Sequence, residues 1–271
     1  NVRGSLFFEK SHENIISVGD QVEINLSNSE KSGSIYRILP RRTKLSRRNS
    51  LGDSEQVLVS NADTLLIVAS LKSPPFRMGL IDRFLVAGSC GGLDPILVLS
   101  KADLVTSKEI TPIKELYSSL GYTVLITSVY KTIGLKSLLN LITNRFSVLS
   151  GHSGVGKSSL ISAILPKFKI GIGQINYKSG KGRHTTIMSE MFNLPKGGSI
   201  VDTPGIRSLE PMVDKQELDL HFTEFKPFLG KCKFKVCSHR HEPMCKIKEG
   251  VISKKITEQR YKSYCRIFDS L

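Results

Sequence analysis

The chain has 271 residues, of which 39% are hydrophobic, so it can form two or more domains with real cores. Its 39 lysines and arginines outnumber 24 acidic residues, and the formal net charge of +15 favours a polyanionic partner. No apolar run approaches the roughly 20 residues that span a bilayer, so nucleic acid is favoured over a membrane.

The cysteine pattern argues against a disulfide framework. Five cysteines are present, an odd number, and three of them lie between residues 232 and 245. This usage is typical of a reducing compartment. The sequence begins at Asn1 rather than methionine, so we expect that an upstream segment was removed or is missing.

The first 60 residues predict short strands. Candidate strands at 5–8, 21–26 and 34–39 are separated by turn-forming residues, as in a small β-barrel. Residues 37–48 contain six lysines and arginines and no acid. One interpretation is a solvated linker, but six unopposed cations favour contact with phosphates.

From residue 61 the pattern changes to alternating strands and helices, which predicts a doubly wound α/β sheet. Buried parallel strands are predicted at 64–69, 95–99, 123–127, 147–149 and 199–201. Helices are predicted at 78–87, 108–120 and 135–145. After residue 208 the strands stop, and 216–225 and 253–271 read as helices.

Residues 151–158 read G-H-S-G-V-G-K-S and match the phosphate-loop pattern G-x-x-x-x-G-K-[ST]. The loop lies between a predicted strand and a predicted helix, so backbone N–H groups and the helix N-terminus can hold phosphates. By this mechanism Lys157 contacts the β- and γ-phosphates and Ser158 binds Mg²⁺. The predicted loop contacts are Gly151, His152, Ser153, Gly154, Val155, Gly156, Lys157, Ser158 and Ser159.

Residues 100–103, upstream of that loop, read S-K-A-D and resemble the guanine-binding N/T-K-x-D box. Asp103 would accept hydrogen bonds from guanine N1 and N2, Lys101 would lie over the base, and Ala102 completes the box. Ser100 replaces asparagine or threonine; its hydroxyl can tie the box to the phosphate loop but cannot copy an amide. We therefore expect weaker guanine affinity than usual.

Two further segments complete the predicted nucleotide site. Residues 202–205 read D-T-P-G, in which Asp202 would reach Mg²⁺ through water and Gly205 would sense the γ-phosphate. Residues 127–129 resemble a degenerate S-A-K box whose backbone would contact the guanine oxygen, with Thr127 and Ser128 as candidate site residues. An ordinary GTPase has the guanine box last, whereas here it comes first.

Residues 180–186 form a glycine-rich basic segment that ends in Thr185 and Thr186. We expect one threonine, with Thr185 favoured, to close on Mg²⁺ and the γ-phosphate; the alternative is a plain mobile loop. Ile206 stands where Ras-like enzymes have a water-positioning glutamine, so basal hydrolysis should be slow. His184 is the nearest polar candidate for that role, and otherwise it orders the loop or contacts RNA.

A cluster suited to structural Zn²⁺ follows near the C-terminus. Cys232, Cys237, His239 and Cys245 supply three thiolates and one imidazole, with His241 as an alternative ligand. Cys90 and Cys265 stand apart and are expected to be buried small hydrophobes. Residues 226–262 carry eleven lysines and arginines against three glutamates, which face either phosphates or solvent.

Together these features resemble the circularly permuted ribosome-assembly GTPases of the RsgA/YjeQ family. The resemblance rests on the box order, the R-H-T-T segment at 183–186, C-S-H-R-H-E-P-M-C at 237–245, G-D-Q-V at 19–22, and the arginines at 41, 42 and 47. It implies an N-terminal OB-fold at 1–60, a permuted P-loop GTPase domain at 61–208 and a helical zinc-binding domain at 209–271. It also supports a catalytic role for His184, and we expect Lys157 and Thr185 to be the other catalytic residues.

The resemblance further implies the function. Family members hydrolyse GTP to GDP, are stimulated by the small ribosomal subunit, bind its rRNA and act late in its maturation. We expect GTP or GDP, Mg²⁺ and one Zn²⁺ as ligands, a monomer, and no membrane partner. The expected location is the bacterial cytoplasm or the stroma or matrix of an organelle. The alternative is a nucleotide-gated rRNA-binding module whose hydrolysis is incidental.

Overall fold

A computed structural model describes residues 16–26, 33–48, 54–165, 190–203 and 209–271. Two compact units are present. One, the sheet unit, comprises Thr64–Arg77 and Pro95–Ser208; the other, the composite unit, comprises Asn1–Asp63, Met78–Asp94 and Leu209–Leu271. None of the helices in the described ranges has the length and apolarity needed to traverse a bilayer. The division at residues 60 and 208 stays a prediction.

The secondary structure alternates strands and helices in the middle of the chain. The strands are β1 (Val22–Leu26), β2 (Gly33–Ile38), β3 (Lys44–Arg48), β4 (Glu55–Ser60), β5 (Thr64–Ser70), β6 (Asp94–Ser100), β7 (Thr123–Ile126), β8 (Phe146–Ser150), β9 (Glu190–Asn193) and β10 (Ser199–Asp202). The α-helices are α1 (Met78–Cys90), α2 (Ser107–Ser119), α3 (Leu135–Ile142), α4 (Lys157–Ile164), α5 (Lys246–Ile252) and α6 (Glu258–Ser270).

The sheet unit contains a six-stranded sheet in the order β7-β6-β5-β8-β10-β9. β8 runs parallel to both β5 and β10, β6 runs parallel to β7, and β9 is antiparallel to β10 at the edge. β5 is buried at every position, as expected for a central strand covered on both faces. The α/β prediction is confirmed, because all five predicted strands are present within about one residue of their bounds.

The core of the sheet unit lies between this sheet and its helices. It is formed by Leu66, Val68, Ile96, Val98, Leu138, Ile142, Leu149, Val155, Leu160, Ile161, Ile164, Leu165, Phe192, Leu194 and Ile200. This set combines strand residues with residues of α3 and α4, so the apolar faces of these two helices pack against the sheet. This packing fixes the carboxyl ends of the parallel strands, where ligands bind in such sheets.

The N-terminal part of the composite unit has two antiparallel strand pairs, β1 with β2 and β3 with β4. A bridge joins Val18 to Val59. The predicted strand at 5–8 lies outside the described residues. The strands at 21–26 and 34–39 are confirmed, and the OB-fold barrel stays a prediction.

The prediction that the cations of residues 37–48 are unopposed is wrong for four of the six. The segment is not a linker, because it enters β2 and β3, and acids distant in sequence pair with it. The ion pairs are Arg37 with Glu23 at 3.5 Å, Arg41 with Asp20 at 2.7 Å, Arg42 with Asp63 at 2.6 Å, and Lys44 with Glu55 at 2.6 Å. The Arg41 pair is buried and contributes to the fold, whereas the largely exposed pairs of Arg37 and Arg42 contribute little.

Asp20 is the most buried acid of this set, with 1% of its side chain exposed. Arg41 donates to both of its carboxylate oxygens, and the Ser60 hydroxyl and the Ser17 N–H donate as well. Burial raises the pKa of Asp20, but these hydrogen bonds outweigh it and hold the pKa below its usual value. The G-D segment of the sequence is thus a structural anchor.

The C-terminal part differs from its prediction in two places. Instead of one helix at 216–225 there are two 3-10 helices, Leu218–His221 and Thr223–Phe228, because Phe222 between them is extended and Pro227 lies in the second. The helix predicted at 253–271 begins only at Glu258, where the Thr257 side chain caps it. The short α5 was not predicted.

These elements enclose the core of the composite unit together with α1. Its buried members are Val86, Val213, Leu218, Phe222, Phe225, Cys245, Ile247, Ile256, Tyr264 and Ile267. Cys90 and Cys265, expected to be buried, are half-buried and pack against this core. Burial raises the pKa of the Cys90 thiol to about 12, so it behaves as a small hydrophobe.

A charged triad lies within the same core. The Arg260 side chain on α6 is 1% exposed and donates to Asp82 on α1 at 2.5 Å and to Glu224 at 2.6 and 3.2 Å. Its guanidinium lies 4.6 Å from the ring centroid of Phe222. One buried cation thus connects α1, a 3-10 helix and α6.

Candidate nucleotide site and metal centre

The phosphate loop leaves the carboxyl end of β8 and enters α4. Gly151, Gly154 and Gly156 have positive φ angles of 144°, 81° and 99°. A Cβ at Gly151 would lie 2.2 Å from the Val68 carbonyl oxygen of the neighbouring strand, so no side chain fits there. The glycines at these positions are therefore required by the path of the loop.

Lys157, the first residue of α4, folds back over this loop. Its Nζ donates to the carbonyl oxygens of Gly151 at 2.7 Å and His152 at 3.2 Å. Burial lowers the pKa of Lys157, and the charge of Asp202 opposes that shift. The lysine is thus held at the loop, as the phosphate-binding role requires.

The guanine box follows β6, and its first residue contacts the phosphate loop directly. The Ser100 hydroxyl lies 2.6 Å from the Val155 carbonyl oxygen and 3.1 Å from that of Ala69. The predicted tie between the box and the loop is therefore present. Lys101 extends the connection, because its Nζ donates to Gly154 at 2.7 Å and Ser73 at 2.6 Å.

Asp103 receives a hydrogen bond from the hydroxyl of Ser128, at the end of β7. This contact joins the guanine box at residues 100–103 to the second predicted guanine segment at residues 127–129. The Thr127 N–H donates to Leu99 at 2.7 Å and the Ser128 N–H to Ile133 at 3.0 Å. Both of these N–H groups thus already have backbone acceptors, and the contact of residues 127–129 with the guanine oxygen stays a prediction.

Asp202 ends β10 and lies opposite Leu149 of β8, one strand away from the start of the phosphate loop. The next residue, Thr203, is buried, and its hydroxyl donates to the Leu149 carbonyl oxygen at 3.0 Å. Asp202 therefore lies at the carboxyl end of the parallel strands, the end from which the phosphate loop leads to Ser158 in the first turn of α4. Their joint Mg²⁺ role stays a prediction.

Several predicted residues lie outside the described residues. They are His184, Thr185 and Thr186 of the basic segment, and Gly205 and Ile206 after Asp202. Their proposed roles rest on sequence.

The metal-ligand candidates Cys232, Cys237, His239 and Cys245 converge, with all four ligand atoms within 4.8 Å of one another. Sγ of Cys232 lies 4.0 Å from Sγ of Cys245, and Nδ1 of His239 lies 3.3 Å from Sγ of Cys245 and 3.7 Å from Sγ of Cys232. Tetrahedral Zn²⁺ with Zn–S bonds of about 2.3 Å places sulfurs about 3.8 Å apart. The donor set and spacing fit Zn²⁺, and His239 completes the group rather than His241.

The surroundings of the cluster also fit a metal. Nε2 of His239 lies 3.0 Å from a carboxylate oxygen of Asp219, which fixes Nδ1 as the ligand atom. The Lys246 N–H donates to Sγ of Cys232 at 3.3 Å. The Glu242 carboxylate accepts hydrogen bonds from Ser238 and from the Arg240 N–H, and so it organises the ligand loop. Burial raises the pKa of Glu242, but these hydrogen bonds outweigh burial and hold the pKa at about 2.

Asp219 and Glu242 were not predicted as supporting residues, and Ser128 was predicted as a backbone contact to guanine rather than as a side-chain partner of Asp103. Ser128 orients Asp103, Asp219 orients His239, and Glu242 organises the loop of ligands. A signal existed only for Glu242, which belongs to the cysteine-histidine motif. Asp219 and Ser128 are brought into place by tertiary packing.

The fold and the site define a P-loop GTPase in which the guanine box precedes the phosphate loop, followed by a module with a Cys₃His metal centre. The chain belongs to the RsgA GTPase family, whose sequence model matches residues 38–212. The small ribosomal subunit biogenesis GTPase RsgA of Chlorobaculum parvum is 37% identical over 97% of this chain and 88% of its own length.

Two solved structures are similar over nearly the whole chain. The crystal structure of YjeQ from Thermotoga maritima has a TM-score of 0.78 and 32% identity, covering 100% of this chain and 88% of that one. The structure of YloQ, described as a circularly permuted GTPase, has a TM-score of 0.70 and 30% identity, covering 99% and 85%. The prediction of a permuted GTPase is confirmed.

Proposed function

We propose that this chain hydrolyses GTP to GDP and phosphate, is stimulated by the small ribosomal subunit, and acts through rRNA in the late maturation of that subunit. The observation that carries the proposal is the meeting of phosphate loop, guanine box and Asp202 at one edge of the parallel sheet. The relatives named above as small-subunit biogenesis GTPases supply the biological context.

In this proposal the described residues bind and orient the nucleotide. The loop glycines present backbone N–H groups to the phosphates, and Lys157 neutralises their charge. Ser158, and Asp202 through water, would hold Mg²⁺, which would neutralise charge on the β- and γ-phosphates. Asp103, held by Ser128, accepts from guanine N1 and N2.

Since Thr127 and Ser128 use their N–H groups elsewhere, the Val129 N–H is the candidate donor to the guanine oxygen. Val129 follows Ser128 directly, so it lies beside the residue that holds Asp103. Both contacts would then read adjacent atoms of one base edge.

Water is positioned by His184 in this proposal, with Thr185 closing on Mg²⁺. Two features of the sequence support this role: the side chain of Ile206 can neither donate nor accept a hydrogen bond, and His184 directly precedes the two threonines. The small subunit would accelerate turnover by fixing this segment.

We further propose that Zn²⁺ at the Cys₃His centre is structural, because three thiolates and an imidazole complete a tetrahedral shell without an open position. Binding of Zn²⁺ to such a site can contribute roughly 10–16 kcal/mol of folding free energy. The basic residues around it, Lys231, Lys233, Lys235 and Lys248, then face rRNA phosphates. We place the protein as a monomer in bacterial cytoplasm or in an organelle stroma or matrix.

The test is GTP turnover measured with and without purified small subunits, for the wild type and for His184→Ala. We expect slow basal turnover, stimulated on the order of 10³-fold by subunits. His184→Ala should lose most of that stimulation, whereas His241→Ala, an exposed histidine outside the metal group, should keep it. Equal stimulation of both variants would exclude the role given to His184.

A second candidate function is a nucleotide-gated rRNA-binding module with incidental hydrolysis, favoured by Ile206. Under that function, subunits bind stoichiometrically in a nucleotide-dependent manner, but turnover does not rise. A salt series of the binding constant counts the phosphate contacts, because each neutralised phosphate steepens the dependence on salt.

A further inference from the structure

The first position of the guanine box has no proton to offer a base. Ser100 is buried, with 3% of its surface exposed, and its hydroxyl faces the carbonyl oxygens of Val155 and Ala69. Both neighbours are acceptors only, so the single hydroxyl proton must point to one of them. An asparagine amide carries two protons and could satisfy Val155 while keeping one.

Among the described residues of the guanine box and of the segment 127–128, the other side-chain donors are also engaged with the protein. The Thr127 hydroxyl donates to Leu99 at 3.3 Å and is fully buried. The Ser128 hydroxyl donates to Asp103, and the Lys101 ammonium is held at the phosphate loop by Gly154 and Ser73. The two hydroxyls therefore fix the box without addressing the base edge, and Lys101, with two of its three protons on loop carbonyl oxygens, is held toward the phosphate loop.

Guanine presents different groups on its edges. N1 and N2 carry protons, whereas O6 and N7 are acceptors and require donors. Asp103 accepts from the proton-bearing edge, and a backbone N–H such as that of Val129 can serve O6. N7 belongs to the same five-membered ring as the ribose-bearing N9, so it lies nearer to the sugar and phosphates than N1 and N2 do. Ser100 joins the box to the phosphate loop, so it lies on that side of the site.

We infer that this site does not recognise guanine N7, and that Ser100 sets this specificity, so that 7-deazaguanine nucleotides are full ligands. The inference rests on the proposed function, because it requires a guanine nucleotide in this site. It also gives a physical form to the weaker guanine affinity expected from the sequence, since one base contact is missing.

The test uses the full zinc-loaded chain with Mg²⁺ and compares GDP, 7-deaza-GDP and IDP by calorimetry. We expect GDP and 7-deaza-GDP to bind within about threefold of each other, since no hydrogen bond is lost. IDP lacks the N2 amine read by Asp103 and should bind more weakly, which shows that the base is read. A 7-deaza-GDP affinity about tenfold or more below that of GDP would overturn the inference.

Variants at position 100 provide the matched comparison. Ser100→Thr keeps a single hydroxyl proton and should remain indifferent to N7. Ser100→Asn adds a second proton and should prefer GDP over 7-deaza-GDP by about threefold to tenfold, the range of one net hydrogen bond. An indifferent, folded Ser100→Asn would contradict the role of Ser100. If Ser100→Asn does not fold, the wild-type ratio and Ser100→Thr decide.

The outcomes also separate this inference from the proposed function. If the wild type binds GDP but discriminates against 7-deaza-GDP, only the inference fails. If neither nucleotide binds at millimolar concentration, the proposed function fails and the inference fails with it.

Discussion

Replacing Arg260 by methionine tests whether the buried triad holds the composite unit together. The substitution keeps most of the side-chain volume but removes the charge between Asp82 and Glu224, whose side chains are 0% and 5% exposed. Two buried carboxylates would then lose the cation that they share. Breaking a buried ion pair in this way costs about 3–5 kcal/mol, more than any hydrophobic gain from methionine.

The assay is urea unfolding monitored by circular dichroism, because the chain has no tryptophan whose fluorescence could report unfolding. With a urea dependence of about 2 kcal/mol per molar, a loss near 4 kcal/mol lowers the midpoint by about 2 M. The control is Lys262→Met on the same helix, whose partner is Glu258 and whose side chain is 60% exposed. That exposed pair contributes at most about 1 kcal/mol.

A triple variant separates lost charge balance from lost packing. Arg260→Met combined with Asp82→Asn and Glu224→Gln removes all charge, so it should recover a substantial part of the lost stability. If Arg260→Met is within about 1 kcal/mol of the wild type, as the control is, the reasoning from buried charge is refuted.

Three further changes are expected to act at separate sites. Asp219→Ala should weaken Zn²⁺ binding about 10–100-fold in chelator competition, because His239 loses its orienting carboxylate. Gly151→Ala should weaken GDP binding by roughly tenfold or more, because strain of about 1–3 kcal/mol falls on the loop. Asp20→Asn should reduce the free energy of unfolding at neutral pH. Because the folded pKa of Asp20 is lowered, the extra stability of the wild type is present above the unfolded pKa of about 4. That extra stability disappears as the pH falls through the folded pKa.

Each of these has an outcome that contradicts it. For zinc, Asp219→Ala should differ from the exposed Glu249→Ala, and equal affinities would reject the orienting role. For the loop, Gly121→Ala is also strained by a φ of 88°, but it has open space around its Cβ and lies outside the phosphate loop, so it should bind GDP normally. For the acid network, a difference between wild type and Asp20→Asn that stays constant from pH 7 to about 3 would exclude Asp20 as its source.

The sequence was most informative where a motif coincided with a regular element. The phosphate loop and guanine box were located because apolar strands end where the polar boxes begin, and parallel strands bring such ends to one edge. The long buried strand at 64–70 was readable for the same reason, since it is apolar almost throughout.

The errors arose where distant residues decide the structure. Arg41 appeared unopposed because Asp20 is far away in sequence, yet the two are buried together. The Ser128 hydroxyl reaches Asp103 only because β6 and β7 are neighbours in the sheet. Nothing near Arg260 in sequence reveals that its helix packs against α1. Local patterns carry no information on such pairs.

The order in which the chain supplies its two units has a practical consequence. The stretch Met78–Asp94 belongs to the composite unit although the segments on either side of it belong to the sheet unit. A fragment trimmed to residues 61–208 would therefore carry α1 without the C-terminal residues that pack against Val86 and pair with Asp82. Removing the C-terminal part by truncation is thus not a neutral way to study the catalytic half. Point substitutions in the intact polypeptide are the sounder tool.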